Sequence, residues 1–170
     1  MNPNWSDKKE VLKAVSENAH LQYASDELKA DREVVLAAVN HYGPALEYAS
    51  DDLKADKEIV LEAVKLWGSN LEYASDDLKA DKDVVLAAVT NTGRALEYAS
   101  DNLKADREIV LEAVKHKIHA SGHALTFASA TLRREREIAL AAMHSEALLS
   151  FPVDFLIEEK KLFHNETNDW

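Results

Sequence analysis

Three histidines, His116, His119 and His123, stand close together in the chain. The first two are i, i+3 neighbours if their segment is helical, and His123 lies a further turn along. Three imidazoles can hold zinc and leave a position open for water, which is the chemistry of a hydrolytic metal. Gly122 is placed to end such a helix before His123, however, and no carboxylate stands nearby as an obvious base. The chain has no nucleophile motif, no glycine-rich phosphate loop and no cysteine for a thiolate site. The residues therefore predict a protein that is not an enzyme and holds no metal or cofactor, with a metal-dependent enzyme built on these histidines as the rival.

Two further sets recur along the chain. Glu47, Glu72 and Glu97 share one position, and Asp51, Asp76 and Asp101 another. Such a file of carboxylates could attract a basic partner. It does not have the ligand spacing and central glycine of a calcium loop. Lys29, Lys54, Lys79 and Lys104 recur beside it, so helix caps and a solvated face account for it as well. Tyr23, Tyr48, Tyr73 and Tyr98 could stack bases or sugars. Phe127 takes the same place without a hydroxyl, which favours a core column whose hydroxyls reach the rim.

The elements that must position these residues repeat every 25 residues. Asp31, Asp56, Asp81 and Asp106 keep that interval, as do Gly43, Gly68 and Gly93; Gly122 comes 29 residues later, so a fifth unit carries extra residues within KHKIHASGH. ALEYASDDLKADKEIVLEAV (45–64) returns as ALEYASDNLKADREIVLEAV (95–114), which points to duplication of a two-unit block. Within a unit, DKEIVLEAVK reads as a helix capped by Asp56, with Glu58, Glu62 and Lys65 on its polar face. Gly68 is expected to stop it, at a position where positive φ is cheap. SNLEYAS then begins a second, shorter helix, and DDLKA makes a brief turn before Asp81. One unit has too little core to fold alone, so stacking is required. The predicted fold is all-α: a helical-repeat solenoid of about five two-helix units of 25 residues with a C-terminal helical cap. It forms a single domain over 1–170, with tandem repeats over 7–143 and cap and tail over 144–170.

The string EYAS-D-x-L-K-A-D-[RK]-E-[VI]-V-L-x-A-V, with glycine four residues after the last valine, resembles the tandem repeat called domain of unknown function 4116 over roughly Asp7 to Met143. The resemblance implies short helical repeats in arrays, often inside larger proteins of bacteria, host-associated ones among them, and of unicellular eukaryotes. It brings no established activity and no catalytic motif.

Positions that differ between units while the framework stays constant are where a repeat protein can encode recognition. Asn40-His41-Tyr42, Lys65-Leu66-Trp67, Thr90-Asn91-Thr92 and Lys115-His116-Lys117 correspond, and Pro44, Ser69, Arg94 and His123 follow them at the helix-to-helix turn. The expected partner-binding residues are His41, Tyr42, Trp67, Arg94, His116 and His119, since Trp, Tyr and Arg are frequent interface anchors. Trp67 also falls on the Val60–Val64 face, where it could fill an inter-unit groove instead. The function expected is a non-catalytic protein-interaction or scaffold module, with a purely structural spacer as a further alternative. A net charge of -11 opposes nucleic-acid binding and suits a protein partner with a basic surface. No apolar run approaches a membrane span and the start lacks a signal peptide, so a cytoplasmic monomer is expected; export into a host cell, as by a bacterial effector, stays open.

Overall fold

A computed structural model describes residues 3–18, 21–115 and 124–144. Among them every regular element is helical and no strand occurs. The long helices are α1 (Lys8–Asn18), α3 (Arg32–His41), α5 (Lys57–Leu66), α7 (Lys82–Asn91), α9 (Arg107–Lys115) and α11 (Arg136–His144). Between them lie single-turn helices α2 (Asp26–Lys29), α4 (Asp51–Lys54), α6 (Asp76–Lys79), α8 (Asp101–Lys104) and α10 (Ala124–Phe127). The segment read as a second helix is 3-10, at Gly43–Tyr48, Gly68–Tyr73 and Gly93–Tyr98. Each regular unit thus has three helical pieces, in which a tight 3-10 turn reverses the chain and carries one leucine inward. The fifth unit inverts the order, with α10 at the 3-10 place and a 3-10 turn at Leu132–Arg134. The cap and tail from residue 145, and the inserted segment 116–123, lie outside the described residues.

Each long helix starts where the sequence puts its aspartate. The carboxylates of Asp31, Asp56 and Asp81 accept from the backbone N–H groups two and three residues on, satisfying donors that the helix itself leaves open. Long helices then stack on long helices and 3-10 turns on 3-10 turns, in two layers. The shared core takes Ile59, Val60, Ala63 and Val64 from α5, their equivalents from its neighbours, and Leu46, Leu71 and Leu96 from the 3-10 turns. Leu36, Leu61, Leu86 and Leu111 are only half-buried, so the apolar arc that meets the core is narrower than the helix composition implies.

Three devices join each unit to the next. First, a main-chain bond crosses every junction: the N–H groups of Ser50, Ser75, Ser100 and Ser129 donate to the carbonyls of Lys29, Lys54, Lys79 and Lys104 at 2.8–3.0 Å. Ser25 donates likewise to Trp5, whose ring leans on Tyr23 at 5.4 Å.

Second, the cation opening each long helix reaches the acidic cap of the following one. Lys8 meets Asp31 and Glu33 at 2.8 Å, Lys57 meets Asp81 and Asp83 at 2.8 and 2.9 Å, and Lys82 meets Asp106 and Glu108 at 2.9 and 2.8 Å. Arg32 takes Asp56 and Glu58, and Arg107 takes Glu135 and Glu137, in the same way.

Third, the glycines allow close approach. A Cβ on Gly68 would lie 2.1 Å from the Ala88 carbonyl oxygen, and one on Gly43 would lie 2.2 Å from Asn70 Nδ2 and 2.5 Å from Trp67 Cε3. Neither glycine has positive φ. The expectation of a left-handed helix stop is therefore corrected: these positions need glycine because the next unit occupies the space of a side chain.

Candidate functional site

The turn after each long helix extends the backbone before the 3-10 segment begins. Tyr42 and Trp67 occupy that extended position in successive units, with φ of -147° and -142°. Their side chains turn outward along the edge of the array. The Trp67 indole lies over the bare Cα of Gly43 and meets Tyr42 edge to face, with ring centroids 5.9 Å apart at 65°. Both remain 45% exposed, and Leu66 beside them is 43% exposed. Trp67 is thus held by the neighbouring unit on one side and open to solvent on the other, which lies between the surface anchor and the groove filler expected of it. His41 is exposed next to Tyr42.

The other turns behave differently. Asn91, at the place of His41 and Leu66, is committed to the array: its Nδ2 donates to the Lys65 carbonyl at 2.8 Å, and its Oδ1 accepts from Gly68 N–H at 2.7 Å and from the Thr92 hydroxyl at 2.9 Å. It satisfies a carbonyl that α5 leaves open at its end. Arg94 is exposed and pairs with Glu97 at 3.0 Å. The third turn therefore commits Asn91 to stacking and Arg94 to its own 3-10 segment. His116 and His119, with His123, lie outside the described residues.

The tyrosine file adjoins the aromatic pair. Tyr48, Tyr73 and Tyr98 are half-buried against the core, as the core-column reading expects, but Tyr23, expected in the same column, is 57% exposed beside Trp5, at the first unit where no preceding 3-10 turn covers it. Their hydroxyls face carboxylates. Hydrogen bonding to Glu47 raises the pKa of Tyr48, with the Tyr42 hydroxyl also felt. Burial raises that of Tyr73, helped by Glu47, Glu72 and Tyr42. Burial likewise raises that of Tyr98, helped by Glu72 and Glu97. Tyr48, Tyr73, Glu47 and Glu72 thus line the 3-10 layer close enough to Tyr42 for the charges to be felt between them, with Trp67 against Tyr42 at the edge. The sequence reading puts Leu66 at the edge, within Lys65-Leu66-Trp67, but takes the Glu47–Glu72 file as a separate ladder. The adjacency of Glu to Tyr in every LEY triplet was the available signal.

Among the described residues no group of three or more His, Asp or Glu is placed to hold a metal ion. No described helix is long and apolar enough to cross a membrane. A shallow groove of about 580 Å³ runs beside α7, lined by Lys65, Asp83, Leu86, Ala87, Thr90 and Asn91. Lys65 is tied to Glu62 and Asp83 to Lys57, so the groove offers few free polar groups.

A family model described as Domain of unknown function (DUF4116) matches residues 7–54, 56–104, 81–121 and 106–151. The first two matches each cover two structural units, the size of the duplicated block. No curated protein and no solved structure matches the chain.

Proposed function

The chain belongs to the family described as Domain of unknown function (DUF4116), and we propose that its array is a non-catalytic protein-interaction module that holds its partner at the Tyr42–Trp67 edge. One observation carries this reading. Of the four large apolar side chains that are exposed among the described residues, three, Tyr42, Leu66 and Trp67, lie on two successive turns. Exposed apolar side chains gathered in one place, on a rigid framework and rimmed by charge, are the usual mark of a contact surface. His41 and the acidic file form the rim, and the net charge of -11 adds a steering field for a basic partner.

The test is affinity capture with the tagged protein beside Trp67→Ala and Tyr42→Ala variants, each melted in parallel. Capture lost in both variants with nearly unchanged melting supports the edge. Capture that survives both places any partner elsewhere, and a large fall in melting temperature identifies the pair as a structural plug.

A further inference from the structure

Resting on the interaction-module reading, we infer that the partner segment is a proline-rich peptide in polyproline II conformation with a basic residue at every third position. The argument begins with the spacing of the surface. The 3-10 turns at 43–48, 68–73 and 93–98 pack side by side, and packed helical elements lie about 8–10 Å apart. Each brings the same Glu-Tyr pair, so carboxylates and phenol rings recur along the array at that interval.

A polyproline II helix has three residues per turn and rises ~3.1 Å per residue, so every third side chain returns to one face after ~9.3 Å. A β-strand cannot match this, because residues three apart point to opposite faces. An α-helix reaches a similar interval only at every seventh residue, about 10.5 Å along its axis. Its carbonyls are already bonded, whereas a polyproline II backbone leaves its carbonyls free for a donor such as the Tyr73 hydroxyl.

The chemistry agrees with the spacing. Proline rings dock against aromatic side chains, here the Tyr42–Trp67 pair and the edges of Tyr48 and Tyr73. Arginine or lysine at the third positions would meet Glu47 and Glu72. Among the described residues these two stand in no ion pair, while Glu97 has its own cation in Arg94. The site therefore runs from the Trp67 edge across two acidic positions and ends at Arg94.

Fluorescence anisotropy with three labelled peptides tests this at physiological salt: four Pro-Pro-Arg triplets, the same residues as a proline block followed by an arginine block, and a helix-forming peptide with arginine at every seventh position. The triplet peptide should bind about tenfold or more tighter than either comparison. The preference should disappear with the double variant Glu47→Gln and Glu72→Gln, whose exposed side chains leave the melting temperature nearly unchanged, and with Trp67→Ala. Equal binding of triplet and block peptides would show charge attraction alone and overturn the inference, as would tighter binding of the helical peptide or no binding of any. If no peptide binds yet affinity capture still depends on Trp67 and Tyr42, only the peptide chemistry falls; if capture is independent of both, the edge falls too.

Discussion

At the scale of single residues, Gly68 is the tightest point of the array. A methyl group there would meet the Ala88 backbone at 2.1 Å, and a carbonyl inside α7 cannot step aside without moving its helix. Gly68→Ala is expected to destabilise the protein by about 1–3 kcal/mol or more, as overpacking does, measured by denaturant unfolding. Gly43→Ala meets side chains instead of backbone, the Trp67 ring and the Asn70 amide that donates to the Ala63 carbonyl. It should cost less and should change the tryptophan emission as the indole is displaced. The recurrence of these glycines was legible in the sequence, but its cause was not. A glycine needed for positive φ and one needed for close approach look alike until the neighbouring unit is placed. Asn91 makes the same point. It reads as a freely varying turn residue, yet it holds the end of the preceding helix through hydrogen bonds with Lys65, Leu66 and Gly68, 23 to 26 residues away.

At the scale of elements, the opening aspartates serve two helices at once. Asp81 caps α7 through Asp83 and Val84 N–H groups and also receives Lys57 from α5. Asp81→Ala should cost about 0.5–2 kcal/mol through the lost cap, whereas Asp81→Asn keeps the cap and loses only the charged rung. The difference between Asn and the parent should shrink in high salt, which screens the rung but not the cap. The rungs also set a pH dependence. Hydrogen bonds from Lys8, Lys57 and Lys82 hold the carboxyls of Asp31, Asp81 and Asp106 below the ordinary aspartate value, with burial opposing. A depressed folded-state pKa means stability that is complete above the unfolded value of about 4 and is lost as the pH falls through the folded value. Melting temperature should therefore stay level through neutral pH and drop below about pH 4, with a shallower drop in Asp81→Asn. The caps were legible because they follow a local rule. The rungs were not, because they join residues 23 to 30 positions apart that only stacking brings together.

At the scale of the whole molecule, the 25-residue period was enough to deduce a stacked helical array, since a unit that cannot bury its own apolar face must borrow a neighbour's. The candidate site was legible only in pieces. Tyr42 and Trp67 stood out by type, but their contact crosses a unit boundary, and so does the junction between the aromatic pair and the acidic tyrosine file. The main-chain bonds from serine to the preceding unit's lysine have a further consequence when the array is stretched. Each junction holds one such bond, and the junctions follow one another in series, so the chain is a line of similar mechanical links rather than a single shell. Drawn out from its ends in an optical trap, it should yield in repeated small steps. Each step should release about 80 Å of chain, the extended length of 25 residues at roughly 3.3–3.6 Å each less the thickness of the folded unit. Such a molecule would behave as an extensible tether that gives way one link at a time and rewinds when the load is removed; a single rip spanning the whole chain would show instead that the links share their load.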